Sequence, residues 1–323
     1  MSEPILEVKD LHICFHSDKG ALPVVEGVDF SLNESEILAI VGESGCGKSV
    51  TSLSILGLIE TPPGEITGGE ILYRGKNLLA CSEKEMEKIR GNDISMIFQE
   101  PMTSLNPVYT VGKQIMESLK YHQGLKGAEA KAKAIELIGL VGISSPETFF
   151  NNYPHQLSGG MRQRVMIAIA LACNPKILIA DEPTTTLDVT IQAQIMNLIV
   201  DLKKKTGTSI ILITHDFGVV SKMAEKVVVM YAGQIVEATG VKEIFAHPLH
   251  PYTEGLLKSI PRLDEDPEYL YNIKGTVPPP SDFPVGCRFS PRCPFATERC
   301  KAERPPLREA EPGHQIRCWR YEE

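Results

Sequence analysis

The stretch "EILAIVGESGCGKS", residues 36–49, constrains this 323-residue chain more than any other. A short apolar run ends in glycine, a glycine-rich turn follows, and the apolar stretch after it reads as a helix to about Gly57. Gly42–Ser49 matches G-x-x-x-x-G-K-[ST] in the strand–turn–helix setting that the pattern requires. The glycines let backbone N–H groups converge on phosphate oxygens, and the following helix adds its positive end. The expected phosphate contacts run through Gly42, Ser44, Gly45, Cys46, Gly47, Lys48, Ser49 and Val50. Lys48 can reach the outer phosphates and the Ser49 hydroxyl can ligate Mg²⁺. Cys46 stands at a variable position of the pattern and reads as a spacer.

Around this turn the chain alternates. Residues 5–15, 24–32, 69–75 and 94–98 read as strands, and Ser82 with Glu85 has capping-box spacing for a helix to about Arg90. From about Val111 to Val141 the pattern is helical, "YPHQLSGG" (153–160) breaks it, and another helix runs over about 161–172. Strand and helix then alternate again: "ILIA" (177–180), a long helix bearing Ile191, Ile195, Leu198, Ile199 and Leu202, and "SIILIT" (209–214). Strands separated by helices imply a parallel sheet with crossover helices, so the fold class is α/β with a helical block inserted.

Two strand ends carry chemistry. "ILIADEP" delivers Asp181 and Glu182 at the carboxyl edge of a strand, where ligands of parallel sheets bind. One carboxylate can hold Mg²⁺ and the other can polarise an attacking water. "SIILITHD" delivers His215 the same way, within reach of a terminal phosphate. Together with the phosphate turn these residues describe an ATP-hydrolysing site.

Composition narrows the function. The formal net charge is −8, which opposes a protein that coats nucleic acid. No apolar run reaches the roughly 18 residues a membrane span needs. The N-terminus "MSEPILEVKD" lacks a basic region followed by an apolar one, so the expectation is a cytoplasmic chain.

"LSGGMRQR", Leu157–Arg164, discriminates among phosphate-loop ATPases. With the other elements in order, residues 5–240 resemble the ATP-binding cassette (ABC) family. The resemblance implies a P-loop NTPase core of the ABC type over 1–95 and 166–240, a helical signature subdomain over 96–165, and an accessory domain over 241–323. It further implies that Gln99 of "IFQEP" is the Q-loop glutamine and joins Ser49 and Asp181 at Mg²⁺. Phe15 stands where the family stacks an aromatic on adenine, and Asp188 of "TTTLD" where it has its D-loop. Glu182 would be the general base, with His215 orienting the γ-phosphate. Two cassettes would close head to tail, Ser158, Gly159 and Gly160 of one covering ATP on the other. Met161 departs from the commonest signature, which has glutamine there.

A single cassette, no long heptad insertion and no basic patch oppose the soluble ABC ATPases of translation and DNA repair. "GESGCGKSVTSLSILGL", "FQEPMTSLNPV", "DEPTTTLDVTIQAQI" and "HPLHPYTEGLL" resemble the ATPase subunits of dipeptide and oligopeptide importers, the D-type more than its F-type partner. That implies a second homologous ATPase or a self-dimer, two membrane permeases, an external peptide-binding protein, and a place on the inner face of the membrane. Nickel or oligosaccharide remains an alternative cargo within the same family. The acidic run 264–268 reads as a solvated linker, and His247 with His250 as turn residues more than a metal site.

The tail is the least cassette-like part. Residues 276–323 hold nine prolines, and beyond alanine 287–323 offer only Leu307 and Ile316 as aliphatic side chains. Such a segment is either disordered or held by something other than burial. Cys287, Cys293, Cys300 and Cys318 follow C-x₅-C-x₆-C-x₁₇-C, poor for zinc and able to supply the four thiolates of an iron–sulfur cluster. Spacing leaves the choice open; the family resemblance implies a [4Fe–4S] cluster. Cys14, Cys81 and Cys173 read as packing residues.

Overall fold

In the computed structural model, residues 3–18, 20–99, 104–184, 187–260 and 271–322 are described. The acidic run 264–268 lies outside them, as do Glu100 and Pro101 of the Q-loop stretch and Thr185 and Thr186 of "TTTLD". The chain forms two compact units. One comprises Met1–Asn33, Ile37–Leu79 and Ile213–Glu323, the other Glu34–Glu36 and Ala80–Leu212.

The first unit holds two groups of strands. β1 (Leu6–Ser17), β2 (Gly20–Leu32), β4 (Gly64–Tyr73) and β5 (Lys76–Asn77) make an antiparallel sheet in the order β2-β1-β4-β5. Leu6, Val8, Leu11 and Ile13 of β1 are buried, which sets its inward face. The second group is β3 (Ile37–Val41), β9 (Lys226–Tyr231), β10 (Gln234–Gly240), β11 (Arg308–Glu311) and β12 (His314–Ile316), ordered β11-β12-β10-β9-β3. All five residues of β3 are buried, as expected of a parallel strand covered on both faces. It pairs in parallel with β9, Val41 opposite Val229. The rest of that group is antiparallel.

The cysteine-bearing tail is ordered within this unit. Phe289 is 2% exposed and packs edge-on against Tyr231, at 5.1 Å between ring centroids, and beside Tyr252 at 5.4 Å. Cys287 and Cys293 pack on the same cluster, which includes Val41, Val229 and Val236. The hairpin β11–β12 adds itself to β10 and is locked there by Glu237. This fully buried carboxylate accepts from the backbone N–H groups of Leu249 (2.7 Å) and His250 (3.0 Å) and meets His314 Nε2 at 2.7 Å. Burial pushes the Glu237 carboxyl up, but these hydrogen bonds outweigh it and hold it below the usual carboxylate range. A segment poor in aliphatics thus borrows a core and pins itself with buried polar pairs.

In the second unit, β6 (Ile94–Ile97) pairs in parallel with β7 (Ile177–Asp181), and β8 (Ser209–Thr214) lies on the other side of β7. The helical stretch expected over 111–141 is two helices, Val111–Gln123 and Gly127–Leu140. Gly124, at φ 70°, ends the first in a left-handed cap. Ser82 and Glu85 form the expected capping box before Glu83–Ile89. Cys173 is buried, and burial pushes its thiol up to about 11, as for a packing residue.

Candidate nucleotide site

The phosphate turn leaves β3 at Gly42, where a Cβ would lie 2.2 Å from the Met230 carbonyl oxygen on β9. Only glycine permits that approach. Gly47, at φ 101°, caps the helix Lys48–Ile55 without a side chain, leaving the first-turn N–H groups for a ligand. Ser44 and Gly45 are exposed at the tip, and Ser49 and Val50 are half-buried in the first turn. Lys48 is 5% exposed. Its ammonium donates to the carbonyls of Gly42 (2.9 Å) and Glu43 (3.0 Å) and lies 3.8 Å from Cys46 Sγ. Cys46 is itself buried, and burial pushes its thiol up despite Lys48, which suits an inert spacer.

Phe15 is half-buried on β1, opposite Leu22 and Gly64. His215 is exposed just past β8. The next residue, Asp216, caps Phe217–Met223 by accepting from Gly218 (2.8 Å) and Val219 (3.2 Å), which fixes the backbone that carries the imidazole.

The second unit positions the carboxylates. Asp181 ends β7 at 4% exposure. Glu182 follows with φ 43°, a left-handed backbone costing roughly 1–3 kcal/mol for a non-glycine and typical of functional sites. Because Ile97 of β6 pairs with Ala180 of β7, Gln99 and Glu182 leave neighbouring strands side by side. Gln99 Nε2 donates to Glu182 Oε2 at 3.1 Å.

The same unit builds the signature. Ser158 caps the helix Gly159–Ala170 by accepting from Met161 N–H at 3.4 Å. Asp188 caps the helix Val189–Thr206 by accepting from Ile191 N–H at 2.9 Å. A Cβ at Gly160 would lie 2.9 Å from Ile191 Cγ2, so a glycine brings the two helix starts together. Both helices offer positive N-terminal ends to an anion. Met161 is 41% exposed.

The four tail thiols are free and half-buried. Burial pushes the Cys287 thiol up to about 11. Among the described residues no group of three or more His, Cys, Asp or Glu side chains is gathered to hold a metal ion. The donor chemistry suits a thiolate-held cluster, while the side chains as placed do not close around one. Fully buried, His250 caps the helix Pro251–Lys258 through Nδ1, which accepts from Tyr252 N–H at 3.1 Å. His247 meets Glu311 at 3.6 Å on the surface.

Residues 25–185 match the family model described as ABC transporter, and residues 236–300 match that of the oligopeptide/dipeptide transporter C-terminal region. The chain is 56% identical to the oligopeptide transport ATP-binding protein AppD of Bacillus subtilis (strain 168), over 99% of this chain and 97% of that one. The chain belongs to the ABC transporter family of ATP-binding proteins. This ABC protein is also 49% identical to the dipeptide transport ATP-binding protein DppD of Escherichia coli (strain K12), over 97% of this chain and 96% of that one. The dimeric structure of MJ0796, a bacterial ABC transporter cassette, superposes with a TM-score of 0.65 at 30% identity, covering 73% of this chain and 98% of that one. Among the described residues of the ABC protein, no helix is long and apolar enough to cross a membrane.

The contacts by which Tyr252 and Arg292 hold Glu43 of the phosphate turn from outside were not legible in the sequence. Glu43 occupies an unconstrained position of the motif, and the other two lie more than 200 residues away.

Proposed function

We propose that this ABC ATPase powers the import of dipeptides or oligopeptides through a membrane transporter. Near-full-length identity to peptide-transport ATP-binding proteins carries the reading, together with a complete phosphate turn whose lysine is already aligned on the loop. ATP would bind with its adenine on Phe15 and its phosphates on Gly42, Ser44, Gly45, Cys46, Gly47, Lys48, Ser49 and Val50. Ser49, Gln99 and Asp181 are the groups to hold Mg²⁺, which would neutralise phosphate charge. Glu182 takes the proton of the attacking water, and Gln99, already hydrogen-bonded to it, orients it. His215 contacts the γ-phosphate.

The ATPase acts as a head-to-tail dimer, with an F-type homologue or a second copy, in which Ser158, Gly159, Gly160 and Asp188 of one subunit meet the nucleotide of the other. Their exposed, capped helix starts support this. The catalytic core spans 1–95 and 166–240. The 96–165 block faces two permeases at the inner side of the membrane, supplied by an external binding protein. A depression of about 540 Å³ lined by Tyr109, Met116, Lys120 and Leu125 supports that docking role. Residues 241–323 form the accessory part, and Cys287, Cys293, Cys300 and Cys318 hold a [4Fe–4S] cluster there. Four free thiols in a core-poor segment support it.

The decisive experiment expresses the chain with its candidate permeases and measures uptake of labelled peptides into cells. ATP-dependent peptide uptake supports the proposal. Uptake of nickel or an oligosaccharide instead reassigns the cargo, and stable association with ribosomes or DNA sinks the transport reading. Anaerobic purification with iron and acid-labile sulfide measured on the same sample tests the cluster; neither element in a folded protein removes it.

A further inference from the structure

The C-terminal segment reaches the phosphate turn through two arginines, each next to a cysteine. Arg292, beside Cys293, is 4% exposed and grips the Glu43 carboxylate with both guanidinium arms, at 2.6 and 3.1 Å. It is fixed from behind by donating to the carbonyl of Lys274 (3.0 Å) and lies 5.7 Å from the centre of the Tyr231 ring. Tyr252 Oη accepts from the Glu43 backbone N–H at 2.9 Å. Glu43 is therefore held at its side chain and its N–H, while its carbonyl accepts from Lys48. Arg288, beside Cys287, reaches the turn by another route. It donates to the Ala232 carbonyl, and Gly233 of the same β9–β10 turn donates to the Cys46 carbonyl at 2.9 Å.

The motif does not ask for a carboxylate at position 43. A free one beside a polyphosphate would oppose binding through like charge. Arg292 neutralises it, and the planar fork also fixes its direction. We propose that Arg292 is a positioning residue for the nucleotide: acting through Glu43, it holds the phosphate turn in its binding shape and turns a repulsive charge aside. Nucleotide affinity then depends on the C-terminal segment. This rests on the reading of Gly42–Ser49 as the phosphate cradle of ATP. The gain is preorganisation, since a loop already fixed loses less freedom on binding.

The test is a titration of the full-length chain with a fluorescent ATP analogue and Mg²⁺. Arg292→Met should weaken affinity by about tenfold, a typical coupling for residues in direct contact. Adding Glu43→Gln to that variant should recover most of the loss, because the uncompensated carboxylate is then gone. Arg292→Lys, which keeps the charge and loses the fork, should fall between wild type and Arg292→Met. A double variant as weak as Arg292→Met would overturn the proposal in favour of a merely structural role. Should Arg292→Met fail to fold, Arg292→Lys carries the test: weakened affinity supports the proposal, and wild-type affinity overturns it. Lys48→Ala separates the two levels. Wild-type affinity there refutes the cradle itself. Lost affinity there, with Arg292→Met folded and within about twofold of wild type, refutes only the role of Arg292.

Discussion

The phosphate turn and the cysteine-bearing tail are built by opposite means. The turn hangs from β3, whose five residues are all buried, and its shape comes from glycines and backbone N–H groups. The tail has almost no aliphatic core of its own. It lends Phe289 to the cluster around Tyr231 and fastens its remaining length with Arg288, Arg292 and the Glu237–His314 pair. A hydrophobic strand tolerates volume-conserving exchange at modest cost. A buried polar anchor does not, because removing one partner strands the other. The turn should therefore fail through its chemistry, and the tail through charge and pH.

Lys48→Ala gives the sharpest break on the turn side. It should abolish nucleotide binding, read by titration with labelled ATP, while leaving the fold intact. Glu182→Gln comes next. It should bind ATP normally and hydrolyse it roughly 10²–10⁴-fold more slowly, the usual worth of a general base, in a phosphate-release assay. A full-rate variant would assign the proton to another group.

On the tail side the expected effect is smaller and depends on pH. Burial holds His250 down at about 4, against about 6.5 for an ordinary histidine. The unfolded chain takes up a proton on this residue below about pH 6.5, and the folded protein only near 4. Its contribution to stability is thus complete above about 6.5 and is lost as pH falls towards 4. His250→Asn keeps a helix-capping acceptor and removes the titration. The variant should lose less melting temperature than wild type between pH 7 and pH 5; equal losses would count against the buried neutral imidazole. The smallest effect is expected of Met161→Gln. With that side chain 41% exposed, ATPase activity should stay within about twofold of wild type.

Much of the site was legible because its parts follow local rules. An apolar strand, a glycine-rich turn and a helix cap each declare themselves within about ten residues. Gly42–Ser49 and Asp181 stand at strand ends and the Ser82–Glu85 box caps its helix, as these rules lead one to expect, and the family match over residues 25–185 agrees with the reading of the cassette. The helical stretch 111–141 was harder, since its apolar period runs on past the break at Gly124. The tail gave the weakest signal, because proline, arginine and cysteine carry no period.

By itself the sequence determined the α/β class, the phosphate turn and the strand ends that bear the acidic residues, since periodicity and backbone geometry are local. Tertiary structure decided what supports them. Only the fold brings Gln99 beside Glu182, through the register of two parallel strands, and Gly160 beside Ile191, through two packed helix starts. Only the fold joins Arg292 to Glu43 across 249 positions of sequence. Charge pairs over such separations leave no pattern along the chain, because either partner could stand at many positions and still be polar.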